Sequence, residues 1–200
     1  MRFGRKLEKG MRHFNKHIFI GAFFLLFSWL SPLETHAKEA TLTNIVVTNT
    51  RDDLLLYMNV EGCFTREMNQ AIENGIPTTF SFFVTLDRMR NFWFDSELAD
   101  ITVTHTIKYN NLKKEFTVTR SEAPGNPVVT HVFAEARKAM AEVNSLKVCE
   151  LKELVKGCPY QINVKAQLEK VKLPLYLHYV FFFVSLWDFE TDWYTIDFYY

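Results

Sequence analysis

The residues best equipped for chemistry fall in one stretch, Asp87-Arg88-Met89-Arg90-Asn91-Phe92-Trp93-Phe94-Asp95. A guanidinium binds a carboxylate or phosphate through two parallel hydrogen bonds, and an indole offers a flat apolar wall beside such a contact. Arg88, Arg90, Trp93 and Asp95 are therefore candidate binding residues, on a loop that follows a strand, where binding residues concentrate. The opposing reading is a surface loop with Trp93 anchored in the core and Arg88 paired with Asp87 or Asp95. A second dense stretch, Trp187-Asp188-Phe189-Glu190-Thr191-Asp192-Trp193-Tyr194, adds Trp187 and Trp193 as candidate contacts.

Signals for catalysis are weak. Asp95 with Glu97, or Asp188 with Asp192, could act as an acid–base pair only inside an enclosed site, which spacing alone does not supply. His105, His131 and His178 are each solitary in the sequence. His105 falls on the apolar face of a strand, where a buried neutral imidazole with one hydrogen bond is the ordinary arrangement. No H-x-H, H-E-x-x-H or Cys/His spacing suggests zinc, and no G-x-S-x-G elbow or P-loop occurs among only seven glycines. No catalytic residue, metal or cofactor is assigned, and the expected role is binding without chemistry.

The three cysteines are Cys63, Cys149 and Cys158, an odd set that does not read as a disulfide framework. Cys149 and Cys158 flank the short segment Glu150 to Gly157 and could bridge locally; three idle thiols are the alternative. None lies beside a histidine or in a C-x-x-C pair, which disfavours redox catalysis.

The elements that must position these residues are mainly strands. Leu54, Leu56, Met58 and Val60 alternate with polar or outward neighbours, as do Phe80, Phe82, Val84 and Leu86, and Ile101, Val103, Ile107 and Tyr109. The clearest strand is Tyr160 to Leu168, with Tyr160, Ile162, Val164, Ala166 and Leu168 facing inward. Arg51-Asp52-Asp53 and Asn110-Asn111 read as hairpin turns. Thr65 caps a short helix carrying Met68, Ala71 and Ile72, which Asn74-Gly75 and Pro77 end. A second helix is expected from Phe133 to Leu146. The fold expected is mainly β: an antiparallel β-sandwich or open barrel with two short helical insertions, with α+β as the alternative. The closing alternation of Tyr194, Ile196, Phe198 and Tyr200 also admits a small outer-membrane barrel.

The first thirty-seven residues carry an address. Arg2, Arg5, Lys6, Lys9, Arg12 and Lys16 precede the uncharged run Ile18 to Leu30, and Thr35-His36-Ala37 comes after it. Basic start, short apolar core and small-residue site are the order of a secretory signal, so residues 1–37 are expected to be a signal peptide and 38–200 a single exported domain, periplasmic or membrane-associated. The net charge is +0; without the leader's six basic and two acidic residues, 17 basic and 21 acidic remain, a charge of −4. That balance argues against nucleic acid. The apolar run Leu175 to Trp187 is a candidate membrane-surface contact, with a packed core segment as the plainer reading.

From about Ala40 to Tyr200 the chain resembles the domain of unknown function 4390 family of bacterial secreted proteins. The resemblance rests on Ile45-Val46-Val47, on Val84-Thr85-Leu86-Asp87-Arg88 with Trp93-Phe94-Asp95, and on Leu173-Pro174-Leu175 leading to Trp187 and Trp193-Tyr194. It implies a secreted protein without a known activity and, by analogy, an envelope or membrane protein as partner, specifically the extracytoplasmic part of a sensor kinase. The competing expectation is a small-molecule or lipid carrier with an aromatic-lined cavity between its sheets.

Overall fold

The alternating segments form the strands expected of them. The structure, a computed structural model, describes residues 40–90, 95–169 and 189–200. In chain order its elements are β1 (Thr41–Asn49), β2 (Asp53–Glu61), α1 (Arg66–Glu73), β3 (Thr78–Arg88), β4 (Ser96–Asn110), β5 (Glu115–Arg120), β6 (Val128–Thr130), α2 (Phe133–Ala141), β7 (Glu142–Glu150), β8 (Pro159–Leu168) and β9 (Tyr194–Tyr199), with a 3₁₀ turn at Leu151–Glu153. All strand pairings are antiparallel. One sheet runs β1-β2-β7 and the other β6-β5-β4-β3-β8-β9. The chain is therefore mainly β, two antiparallel sheets with two short helices.

Because side chains alternate across a strand, one face of each sheet is apolar and the two faces share one core. Leu54, Leu56, Met58 and Val60 enter it from β2; Phe80, Phe82, Val84 and Leu86 from β3; Tyr160, Ile162, Val164, Ala166 and Leu168 from β8. Each large side chain taken fully out of water contributes about 1.5–3 kcal/mol before entropy is counted. The buried sheet face is thus the apolar one, the reverse of an outer-membrane barrel around a polar lumen, and the described strands lie in two sheets rather than one closed ring.

The helices obey their end signals unequally. Thr65 caps α1, its Oγ1 accepting from the Met68 N–H at 3.2 Å, and Met68, Ala71 and Ile72 are the buried face. Gly75 comes next with φ +85°, a conformation glycine alone adopts without strain. The second helix stops at Ala141, five residues short of the expected Leu146, and passes directly into β7. Val143 and Val148 are β-branched, Leu146 is buried with them against β2, and Ser145 takes φ +57° where the β2–β7 register slips. Sheet pairing outcompetes the helical turn there. Strand β6, beside β5, is also additional to the expected elements.

Candidate functional site

The register separates the two candidate binding segments. Arg88 lies opposite Tyr160, whereas Tyr194 lies opposite Val164. Four residues along β8 span about 13 Å. The Arg88 loop and the Trp193 segment therefore sit toward opposite ends of the same strand.

At the Arg88 end, the guanidinium does not pair with Asp87 or Asp95. Its Nη2 donates to Cys158 Sγ at 3.0 Å. Cys158 is half-buried and Cys149 buried, and all three cysteines are free, so the Cys149–Cys158 bridge is not formed. Asp95 closes the loop instead: its Oδ1 accepts from the Arg90 backbone N–H at 3.0 Å, leaving the Arg90 side chain exposed. Trp93 lies outside the described residues, as do Trp187 and the run Leu175 to Trp187. His178, Asp188 and the Leu173-Pro174 opening also fall outside them.

At the other end, residues 189–191 are stitched to β8. The Leu168 N–H donates to Phe189 O and the Thr191 N–H to Ala166 O, each at 2.9 Å, and Ala166 N–H donates to Thr191 Oγ1 at 3.0 Å. Phe189 packs edge-on against Phe80, ring centroids 4.9 Å apart. This anchoring fixes the entry of the chain into β9. Trp193, just before β9, is 51% exposed, and Tyr194 and Tyr199 on β9 are 49% and 79% exposed, an unusual concentration of exposed aromatics. Lys165 Nζ sits 5.4 Å from the Trp193 ring centroid and pairs with Glu190. Trp193 and Tyr194, with Asp192 and the start of β1 at Thr41 and Leu42, line a groove of about 220 Å³. Among the described residues β9 pairs only with β8, so it is the edge strand of its sheet there.

A third constellation was not legible as one. His105 is fully buried; Nδ1 lies 3.0 Å from Met140 O and Nε2 2.9 Å from Glu122 Oε1. Both partners are acceptors, so a neutral ring can donate to only one of them. Burial is the main reason the imidazole is held below its ordinary pKa; Glu122 pulls the other way. Arg120 faces His105 across the β4–β5 register, and its Nε, like Glu122 Oε2, is buried without a hydrogen-bond partner. The signal lay in the hairpin: a turn at Asn110-Asn111 puts position 120 opposite 105 and position 122 on the same face. The ring lies tilted against Phe82 within the core, centroids 4.8 Å apart. It is a polar structural centre in which the ring faces two acceptors and, when neutral, donates to one of them, the single hydrogen bond that was expected.

Among the described residues no group of three or more His, Cys, Asp or Glu is placed to hold a metal ion. None of the helices described is long and apolar enough to cross a membrane. A family model described as a domain of unknown function (DUF4390) matches residues 37–197. Searches of curated proteins and of solved structures return no match to the chain.

Proposed function

The chain belongs to the DUF4390 family, and from that premise we propose that it is a non-enzymatic interaction domain acting outside the cytoplasm. The observation that carries this reading is the Trp193–Tyr194 face: two half-exposed aromatics and a lysine, held rigidly by the β8 stitching beside an edge strand. Tyr and Trp are the residues most enriched at interface hot spots, and an edge strand can take an added strand from a partner. The basic-apolar leader supports export to the periplasm, and the partner is an envelope membrane protein, the extracytoplasmic part of a sensor kinase. Arg88 is engaged with Cys158, so the contact centres on Trp193, with Arg90 as a separate, secondary point.

The test is affinity capture of the tagged chain from gently solubilised membranes, comparing wild type with Trp193→Ala and Tyr194→Ala. A sensor kinase should be captured by wild type. Each substitution should weaken capture by about 2 kcal/mol, roughly thirtyfold, the scale of a hot-spot residue. Melting should stay near wild type, since both side chains are half in water. Capture that survives both substitutions, or the absence of any envelope protein, would overturn the reading.

A further inference from the structure

We infer that the groove between α2 and the loop Gly62 to Thr65 is a binding site for an oxyanion carried on an apolar body, with Arg137 as the residue that receives it. The groove encloses about 590 Å³ and is bordered by Val60, Phe64, Ala134 and Ala141 as apolar walls and by Arg137 and Lys138 as cations. A volume of that size is typical of small-molecule sites, which combine apolar walls with a few converging polar groups. The groove shares no lining residue with the Trp193 face, so the inference stands apart from the partner reading.

Arg137 carries the argument. Its Cζ lies 5.0 Å from the Phe133 ring centroid and 5.7 Å from that of Phe64, so two aromatic rings hold the guanidinium from two elements. Such contacts fix a cation's position without neutralising it. Among the described residues no carboxylate comes within ion-pair distance of Arg137, and its Nε is buried without a hydrogen-bond partner. A partly desolvated guanidinium with no ion-pair partner among the described residues is suited to receive an anion, and its fork matches a carboxylate or a phosphate group. Glu142 also borders the groove, but it lies 3.8 Å from Lys138 Nζ, so that neighbour offsets it. Among the described residues that line the groove, Arg137, Lys138 and Glu142, the charge balance is one positive.

The neighbouring thiol adds no reactivity. Cys63 is buried, and desolvation pushes it up to about 12, so the thiolate that nucleophilic chemistry requires is not formed near neutral pH. The site holds a ligand and does not transform it.

The experiment is a titration of the isotopically labelled full chain, monitored by amide chemical shifts. The probes are octanoate, octyl phosphate, inorganic phosphate and, as a cationic control, octylamine. The expected result is saturable shifts at Gly62, Cys63, Phe64, Arg137 and Lys138 with octanoate or octyl phosphate and none with octylamine. Which of the two binds more tightly distinguishes a carboxylate source from a phosphate source. Arg137→Gln should weaken binding by about tenfold or more, and Arg137→Lys, which keeps charge but loses the fork, by less. Inorganic phosphate binding as well as octyl phosphate would overturn the apolar-body part. The inference is overturned as a whole by the absence of saturable shifts at these amides in wild type, a result that needs no variant to fold, or by unchanged affinity in a folded Arg137→Gln.

Discussion

His105 and its partners make stability depend on pH. The ring faces Glu122 and the Met140 carbonyl, with Arg120 across the register. Because burial holds the folded imidazole below its ordinary pKa, the unfolded chain binds the proton first as pH falls. The contribution is complete above the ordinary value of about 6.5 and is lost progressively below it. Urea midpoints at about pH 8 and about pH 5 should therefore differ, and His105→Gln should narrow the gap. An undiminished gap in the variant would assign the acid sensitivity elsewhere. The cysteines give a second residue-scale test. Desolvation raises Cys63 to about 12 and Cys149 to about 11, and both are buried. Half-buried Cys158 should be the first thiol labelled by iodoacetamide in the native protein, with the other two labelled only after denaturation. Mass spectrometry of peptides reads this directly, and early modification of Cys63 would contradict the packing around it.

At the scale of elements, α1 depends on its ends. Removing the Thr65 hydroxyl leaves the Met68 N–H without its cap, so Thr65→Ala should cost about 1 kcal/mol in urea unfolding. Gly75→Ala should cost at least as much, because φ there is +85° and a Cβ would meet Asn111 Nδ2 at 3.2 Å. Indifference to both changes would mean that α1 adds little to the folded state. These features were readable in advance because capping and turn chemistry are local. So were β2, β3, β4 and β8, where a period of two declares the buried face by itself. The end of α2 was not readable, since an alanine-rich start favours a helix and only pairing with β2 diverts Glu142 onward into a strand. Three-residue β6 is too short to show a period. The polar sites suffered most. Arg88 meeting Cys158 and Arg137 lying against Phe64 each join residues distant in sequence, and neither pairing can be read from any local pattern.

For the domain as a whole, two sheets closing on one apolar core place its stability between them. Phe82→Ala, in the middle of that core, should cost about 3–5 kcal/mol, whereas Leu112→Ser at the 97%-exposed tip of the β4–β5 hairpin should change stability by less than about 0.5 kcal/mol. The margin we propose for recognition is the β9 edge with Trp193 and Tyr194. It is tested most directly by photo-crosslinking in living cells, with a photoreactive phenylalanine analogue in place of Tyr194 and, in a parallel chain, of Leu112. The probe at position 194 is predicted to capture one membrane protein reproducibly, a sensor kinase, and the probe at 112 to capture none. Equal capture from both positions, or none from position 194, would contradict an interface at the β9 edge.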